Sequence, residues 1–200
     1  MDLQAHWERV YQTKQPTEVS WFRPHLDTSL SLISSLDVAR DVPVLDVGGG
    51  ASTLVDDLIA AGYSNLTVLD LSASAIDAAR SRLGARQTTV TWLATDVTRA
   101  ELPASHFRVW HDRAVFHFLT DPADRDRYVE QVRHSVASGG HVIIATFGPH
   151  GPSRCSGLPT ARYDADALHA VLGDEFEMID RREERHRTPA GVEQQFVYCL

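Results

Sequence analysis

Residues 44–52 read Val44-Leu45-Asp46-Val47-Gly48-Gly49-Gly50-Ala51-Ser52. Four residues of an apolar, β-branched run carry one acid and end in three consecutive glycines. A buried strand that stops at glycines lets the backbone turn sharply and approach a ligand closely. Residues 52–61 (STLVDDLIAA) follow with helical spacing, Ser52 or Thr53 standing as the cap. A helix that starts there presents free N–H groups to whatever sits above the turn.

Outward from this stretch the same rhythm repeats. Residues 65–70 (NLTVLD) predict a second strand, and residues 72–83 (SASAIDAARSRL) predict a helix with Ser72 as cap and Gly84 just past its end. Residues 88–93, 107–112 and 140–147 predict three more strands, and residues 121–137 and 164–172 two more helices. Residues 176–181 and 195–200 read as two late strands. Only the polar segment 183–194, with Pro189 and Gly191, joins them, so they should pair as a hairpin. Strands alternating with helices argue for a parallel sheet of βαβ units, here ending antiparallel. Ahead of this core, residues 2–12 and 26–40 read as helices flanking an irregular segment that carries Trp21 and Phe22. The expected organisation is one domain over 1–200, with 1–40 a helical cap and 41–200 an α/β core.

Composition narrows the function classes. The chain has 200 residues, 19 Lys plus Arg against 27 Asp plus Glu, and a net charge of −8. That balance opposes attraction to nucleic-acid phosphates or an anionic membrane. Cys155 and Cys199 lie far apart without a CxxC pattern, which reads as two reduced thiols rather than a zinc knuckle or disulfide frame. His111 and His117 lack other ligand-type neighbours at metal spacing, so no metal site is expected. No apolar run reaches the ~20 residues that span a bilayer, and the start lacks a signal-peptide pattern. The expectation is a cytoplasmic protein.

Open α/β sheets bind ligands beyond the carboxyl ends of their strands. Asp46 and the glycines end the first strand there. Asp70 ends the second, placed to accept hydrogen bonds from a ribose diol. Thr95-Asp96-Val97 follows the third, where Asp96 could face an adenine amino group or simply start a turn. A dinucleotide site prefers GxGxxG, whereas GGGASTL has Thr53 where the third glycine would stand. The Asp46 carboxylate opposes a phosphate and suits an ammonium. S-adenosylmethionine, an adenosine joined to a sulfonium and an amino acid, matches these residues.

The chain resembles the class I S-adenosylmethionine-dependent methyltransferases, of the small single-domain bacterial type, along its whole length. VLDVGGGAS resembles the family's first motif, with Ser52 in place of its last glycine. LDLSASAIDAARSRL resembles the second, TDV the adenine-side acid, WHDRAVFHFLTD the fourth-strand motif and GGHVIIATF the fifth-strand segment. HWERVYQTKQPTEVSWFRP resembles the N-terminal cap of small bacterial members. The resemblance implies a Rossmann-like, mostly parallel seven-stranded sheet of order 3-2-1-4-5-7-6 with strand 7 reversed.

It also implies that Asp46, Gly48 and Gly50 cradle the methionine part, that Asp70 binds the ribose with Leu71 against the adenine, and that Asp96 and Val97 read the adenine edge. The segment starting at Asp112 would lie beneath the donor sulfur, and Tyr11 and Trp21 would close over the methionine end. An aromatic wall suits a sulfonium cation.

For the reaction, the candidate bases are His111, Asp112, His117 and His150, with His117 the catalytic candidate beside the fourth strand; Asp112 and Arg113 read as a structural pair. The glycine- and proline-rich segment 146–163 should cover the active site, and its Arg154 and Arg162 could hold an anionic acceptor. The fourth strand ends in HDRAVF, without the Asn/Asp-Pro-Pro-aromatic signature of adenine and amide N-methyltransferases. The leading expectation is methyl transfer to a small molecule. A protein-lysine methyltransferase, a non-catalytic binder of the same cofactor and a nicotinamide oxidoreductase are the alternatives.

Overall fold

β1 (Val44–Val47) lies in the middle of the sheet and is buried along its whole length. Its side chains alternate between two layers: Val44 joins the core on one face, Leu45 and Val47 the core on the other. The computed structural model describes residues 2–200; Met1 lies outside the described residues. β2 (Leu66–Asp70) and β4 (Phe107–Arg113) flank β1 in parallel. β3 (Val90–Ala94) and β5 (Val136–Phe147) extend the sheet on either side, β6 (Arg154–Cys155) and β7 (Leu158–Pro159) form a separate small hairpin, and β8 (Arg181–Arg187) and β9 (Glu193–Cys199) complete the sheet. The sheet order is β3-β2-β1-β4-β5-β9-β8. Only β9 is reversed, antiparallel to both β5 and β8. With the two-residue hairpin strands set aside, this is the order the resemblance implies.

The helices start where the capping chemistry put them. In α4 (Ala73–Leu83) Ser72 Oγ accepts from Ala75 N at 3.1 Å, and Gly84 ends the helix with φ +57°. Asp121 caps α5 (Pro122–Ser135), which has proline at its first position, and Asp164 caps α6 (Ala165–Leu172). α3 (Leu54–Ala60) has Thr53 as its N-cap, one of the two caps the sequence offers, and Ser52 Oγ accepts from Leu54 N at 3.1 Å. α1 (Leu3–Thr13) is capped by Asp2.

Two sequence expectations are corrected. The helix expected over 26–40 is the shorter α2 (Asp27–Ser35): Leu36 is already extended, and Ser35 Oγ turns back onto Leu32 O at 2.7 Å. The late hairpin is displaced. Its first strand is β8, which starts at the last residue of the predicted strand and runs into the segment read as a polar connector, while 176–180 lies outside it. The sequence RREERHR hides a strand because β8 is an edge: Glu184 and His186 point inward and the intervening charged residues face solvent.

The cap is tied to the core by charge. The Glu8 carboxylate in α1 accepts from Ser72 Oγ at 2.8 Å and from the Ser74 hydroxyl and N–H, at the N-terminus of α4. The helix dipole favours an anion there, and these hydrogen bonds hold the Glu8 carboxyl below its usual range. On the far side of the cap, Arg23 and Thr28 donate to Glu184 of β8.

Candidate functional site

A cavity opens over the carboxyl ends of β1, β2, β3 and β4, roofed by α1 and the segment after it. Gly48, Asp70, Leu71, Asp96 and Val97 line its floor, and Trp7, Tyr11 and Trp21 form its roof. A second hollow shares Tyr11, Trp21 and Gly48 with it and is floored by Asp46 and Gly49. Seven of the ten predicted cofactor contacts therefore line the main cavity, and Asp46 joins them through the adjoining hollow. Gly50 and Asp112 line neither.

The glycine turn is shaped by close approach. Gly48 has φ +69°, and a Cβ there would stand 2.0 Å from Val115 Cγ2. A Cβ on Gly49 would stand 2.2 Å from Asp46 Oδ2. That Oδ2 is buried without a partner, whereas Oδ1 meets His111 Nδ1 at 2.7 Å. An unpaired carboxylate oxygen at a bare glycine turn fits a ligand ammonium and opposes a phosphate. His111 Nε2 in turn meets Ser29 Oγ at 2.9 Å. With both ring nitrogens engaged, His111 orients Asp46 and is not available as a base.

Gly50 supports Asp70 rather than the cavity: its N–H donates to Asp70 Oδ2 at 3.0 Å, and Ser72 N donates to Oδ1 at 2.8 Å. Burial nevertheless pushes the Asp70 carboxyl up to about 6, with Asp46 adding to the shift. Asp96 makes both a contact and a turn, since it lines the cavity while its Oδ1 accepts from Thr98 N and Oγ1 at 2.9 and 2.8 Å.

Asp112 faces away because successive residues of a strand point to opposite faces. His111 looks toward the cap, and Asp112 toward α5. It accepts from Tyr128 OH at 2.7 Å and from the N–H groups of Val115 and Phe116 at 2.9 and 3.1 Å. It fixes the turn that carries Val115, His117 and Phe118; burial raises its carboxyl to about 6. The expected Asp112–Arg113 pair does not form. Arg113 donates instead to Tyr198 OH at 2.9 Å and Glu184 Oε1 at 3.3 Å, and lies over the Phe196 ring at 4.4 Å.

In the roof, Trp21 Nε1 donates to Tyr11 OH at 3.2 Å. Trp7 meets Trp21 edge-on at 5.5 Å and Phe118 at 5.0 Å. Burial raises the Tyr11 hydroxyl far above its ordinary range, so it stays protonated. Beyond the roof the cavity continues over β4 and β5 into an aromatic chamber of His117, Phe118, Phe147 and Phe196. Phe147 and Phe196 are register partners on β5 and β9, a pairing that spacing along the chain could not reveal.

His117 is fully buried and stacked on Phe147 at 4.3 Å. Burial first, then the Arg113 cation, lowers its pKa to about 3, which makes it a poor general base at neutral pH. Segment 146–163 contributes Phe147 and Cys155 to the lining. Arg154 and Arg162 are not part of it: they donate to Gly157 O and Pro149 O of their own loop. His150 is exposed and outside the cavity.

Comparison with known proteins fits this geometry. Residues 44–140 match a family model described as a methyltransferase domain. That match takes in just under half of the chain, from β1 into β5, and with it Gly48, Asp70, Asp96 and the turn after the fourth strand. Among relatives, the chain is 27% identical over 139 residues to the eEF1A lysine and N-terminal methyltransferase of Mus musculus, which covers 69% of this chain and 19% of that protein. The chain spans about a fifth of the length of the curated relatives it matches first. Among solved structures, one from work on the conversion of a disulfide bond into a thioacetal group during echinomycin biosynthesis superimposes with a TM-score of 0.78 at 17% identity, covering 98% of this chain and 91% of that one. The 1,6-didemethyltoxoflavin-N1-methyltransferase of Burkholderia thailandensis, with bound 1,6-didemethyltoxoflavin and S-adenosylhomocysteine, gives 0.66 at 19% identity, covering 98% and 86%. Among the described residues no helix is long and apolar enough to cross a membrane.

Proposed function

We propose that this chain transfers the methyl group of S-adenosylmethionine to a small-molecule acceptor, with residues 1–40 as a cap and 41–200 as the α/β core of one unit. The observation that carries the reading is the continuity of the cavity: the glycine turn and Asp70 at one end run directly into the aromatic chamber over β4 and β5 at the other. When bound, the cofactor supplies an activated methyl group on a sulfonium. The residues of this chain then have three tasks.

Asp46 Oδ2 and the Gly48–Gly50 turn would hold the amino-acid end. Asp70 would accept from the ribose hydroxyls, with Leu71, Asp96 and Val97 around the adenine. Tyr11 and Trp21 would close over the sulfonium and exclude water, leaving the acceptor to be aligned in the chamber. No positioned base is required for an acceptor that ionises or carries a free lone pair. An aromatic-walled cavity suits a compact acceptor, and a structural neighbour, the Burkholderia thailandensis enzyme, holds 1,6-didemethyltoxoflavin together with S-adenosylhomocysteine.

The second reading is a protein-lysine methyltransferase. The name of the Mus musculus relative supports it.

Calorimetric titration with S-adenosylmethionine, S-adenosylhomocysteine and NAD tests the donor half. Micromolar binding of the first two and none of NAD is expected; binding of NAD alone would overturn it. Asp70→Ala should weaken S-adenosylmethionine by roughly 2–4 kcal/mol, the worth of two charge-assisted hydrogen bonds, and Asp70→Asn by less because it keeps an acceptor oxygen. Unchanged affinity in both variants would remove Asp70 from the ribose.

The same carboxyl sets a pH dependence. Its pKa lies raised at about 6, so it is ionised at pH 7 and takes up a proton as pH falls through 6. Affinity for the cofactor should therefore drop about tenfold between pH 7 and pH 5. A flat profile there would contradict a role for the ionised carboxylate. Trp21→Ala should lower affinity by about 1 kcal/mol through loss of the aromatic wall and the Tyr11 hydrogen bond. Wild-type affinity in that variant would leave Trp21 a packing residue.

A further inference from the structure

His117 holds its proton in one place. Its Nδ1 accepts the backbone N–H of Phe147 at 3.2 Å. A nitrogen that accepts cannot carry hydrogen, so the neutral ring must be protonated on Nε2. A second proton on Nδ1 would face that same N–H, in a fully buried site beside the Arg113 guanidinium. Nε2 is therefore a donor, and it is buried without any partner. Buried N–H groups are rarely left unpaired, because doing so forfeits hydration without replacement. His117 borders the cavity, with its ring closed off from it in the empty site, so a molecule that parts the aromatic lining is the partner that could reach Nε2.

The surroundings define what that molecule is. Phe147 is stacked on the imidazole, Phe118 meets it edge-on at 4.5 Å, and Phe196 lies at 6.4 Å. The nearby carboxylate, Glu184, is committed to Arg113, Arg23 and Thr28. Of the other carboxylates on the cavity, Asp70 and Asp96 stand over the far strands, β2 and β3, and Asp124 of α5 is paired with Arg127.

We infer that His117 Nε2–H is a fixed hydrogen-bond donor to the methyl acceptor, selecting a compact apolar molecule whose oxygen, nitrogen or sulfur is neutral or anionic and rejecting an ammonium. The inference rests on the methyltransferase reading above and specifies its acceptor. A thiol or phenol acceptor loses its proton to water on ionisation. Its heteroatom lone pair then forms the new bond to the methyl carbon as the carbon–sulfur bond breaks, and that bonding pair stays on sulfur in S-adenosylhomocysteine. The donor N–H holds the acceptor in line. A lysine ammonium would meet an N–H where it needs an acceptor.

Two measurements test this. Long-range 15N NMR of the wild-type imidazole should show the Nε2–H tautomer throughout pH 5–8; an Nδ1–H tautomer, or titration within that range, overturns the inference without any turnover assay. The second measurement follows S-adenosylhomocysteine formation with thiophenol, 2-mercaptopyridine, 4-nitrophenol and a lysine peptide. Turnover of at least one of the first three and none of the peptide is expected. His117→Phe, which keeps the aromatic stack and removes the donor, should lower kcat/KM roughly tenfold to a hundredfold with cofactor affinity unchanged, and His117→Gln should recover part of it.

Methylation of the peptide alone, wild-type kcat/KM in His117→Phe, or no turnover of any probe while S-adenosylmethionine binds each overturns the inference. Failure of the wild-type protein to bind S-adenosylmethionine instead overturns the reading beneath it.

Discussion

Gly48→Val should abolish measurable S-adenosylmethionine binding, a loss of more than a hundredfold, while the far-UV circular dichroism stays native. The backbone at Gly48 has φ +69°, and a side chain there would enter the space of Val115 Cγ2, within 2.0 Å of the new Cβ. A β-branched residue in the left-handed region costs on the order of 1–3 kcal/mol in strain. The larger effect is local. Gly48 and Val115 both line the main cavity, so relief of the clash, by turning the Val115 side chain or shifting the glycine turn, alters the volume the ligand needs. Gly62→Ala is the control. Gly62 also has positive φ, +88°, but a Cβ there meets nothing within 4 Å. It should lose a similar amount of stability to backbone strain and keep wild-type affinity. Binding within tenfold of wild type in Gly48→Val would mean that the turn does not approach the cofactor.

The largest effect on stability is expected at a residue distant in sequence from every motif. Glu184→Ala removes the carboxylate that neutralises Arg113, both side chains being under 10% exposed. Glu184 also accepts from Thr28 Oγ1 at 2.6 Å and from Arg23 Nη1 at 3.3 Å, so it joins β8 to the cap and to β4 in one network. The Arg113 guanidinium would be left buried over the Phe196 ring with a tyrosine hydroxyl and the Trp21 carbonyl as its remaining partners. Stranding one member of a buried pair costs about 3–5 kcal/mol, or a fall in Tm on the order of 10 °C for a domain this size. The double variant Glu184→Leu/Arg113→Met removes both charges and should recover much of the loss. A Tm within 2 °C of wild type in Glu184→Ala would show that solvent or another group compensates the cation.

The same network explains why part of the site was hidden. Asp46, Gly48, Asp70 and Asp96 were legible because they sit at strand ends, and the ends of parallel strands are fixed by local pattern: an apolar run, a turn, a capped helix. Ser72, Asp121 and Asp164 cap their helices by bonds that reach only two or three residues along the chain. Arg113, Glu184, Phe147 and Phe196 could not be read in this way. They converge only after the chain reverses into β9 and places Phe196 opposite Phe147. β8 itself was misplaced because its charged sequence looks like a loop until its edge position, with Glu184 and His186 inward, is known.

The sequence by itself determined the parallel sheet, its reversed ending, the glycine turn and the acids around it, since hydrophobic period and turn chemistry act over a few residues and need no partner. Only the tertiary structure decided which way side chains point once they arrive. His111 and Asp112 are neighbours in the chain, yet one supports Asp46 and the other binds Tyr128 on the opposite face of the sheet. His117 looked like a base by its place beside the fourth strand. Burial, the Phe147 N–H and the Arg113 cation make it a neutral donor. Its protonation state depends on the Arg113 cation of β4 and on burial against Phe147 of β5 and Phe196 of β9, which come together only when the sheet forms around them.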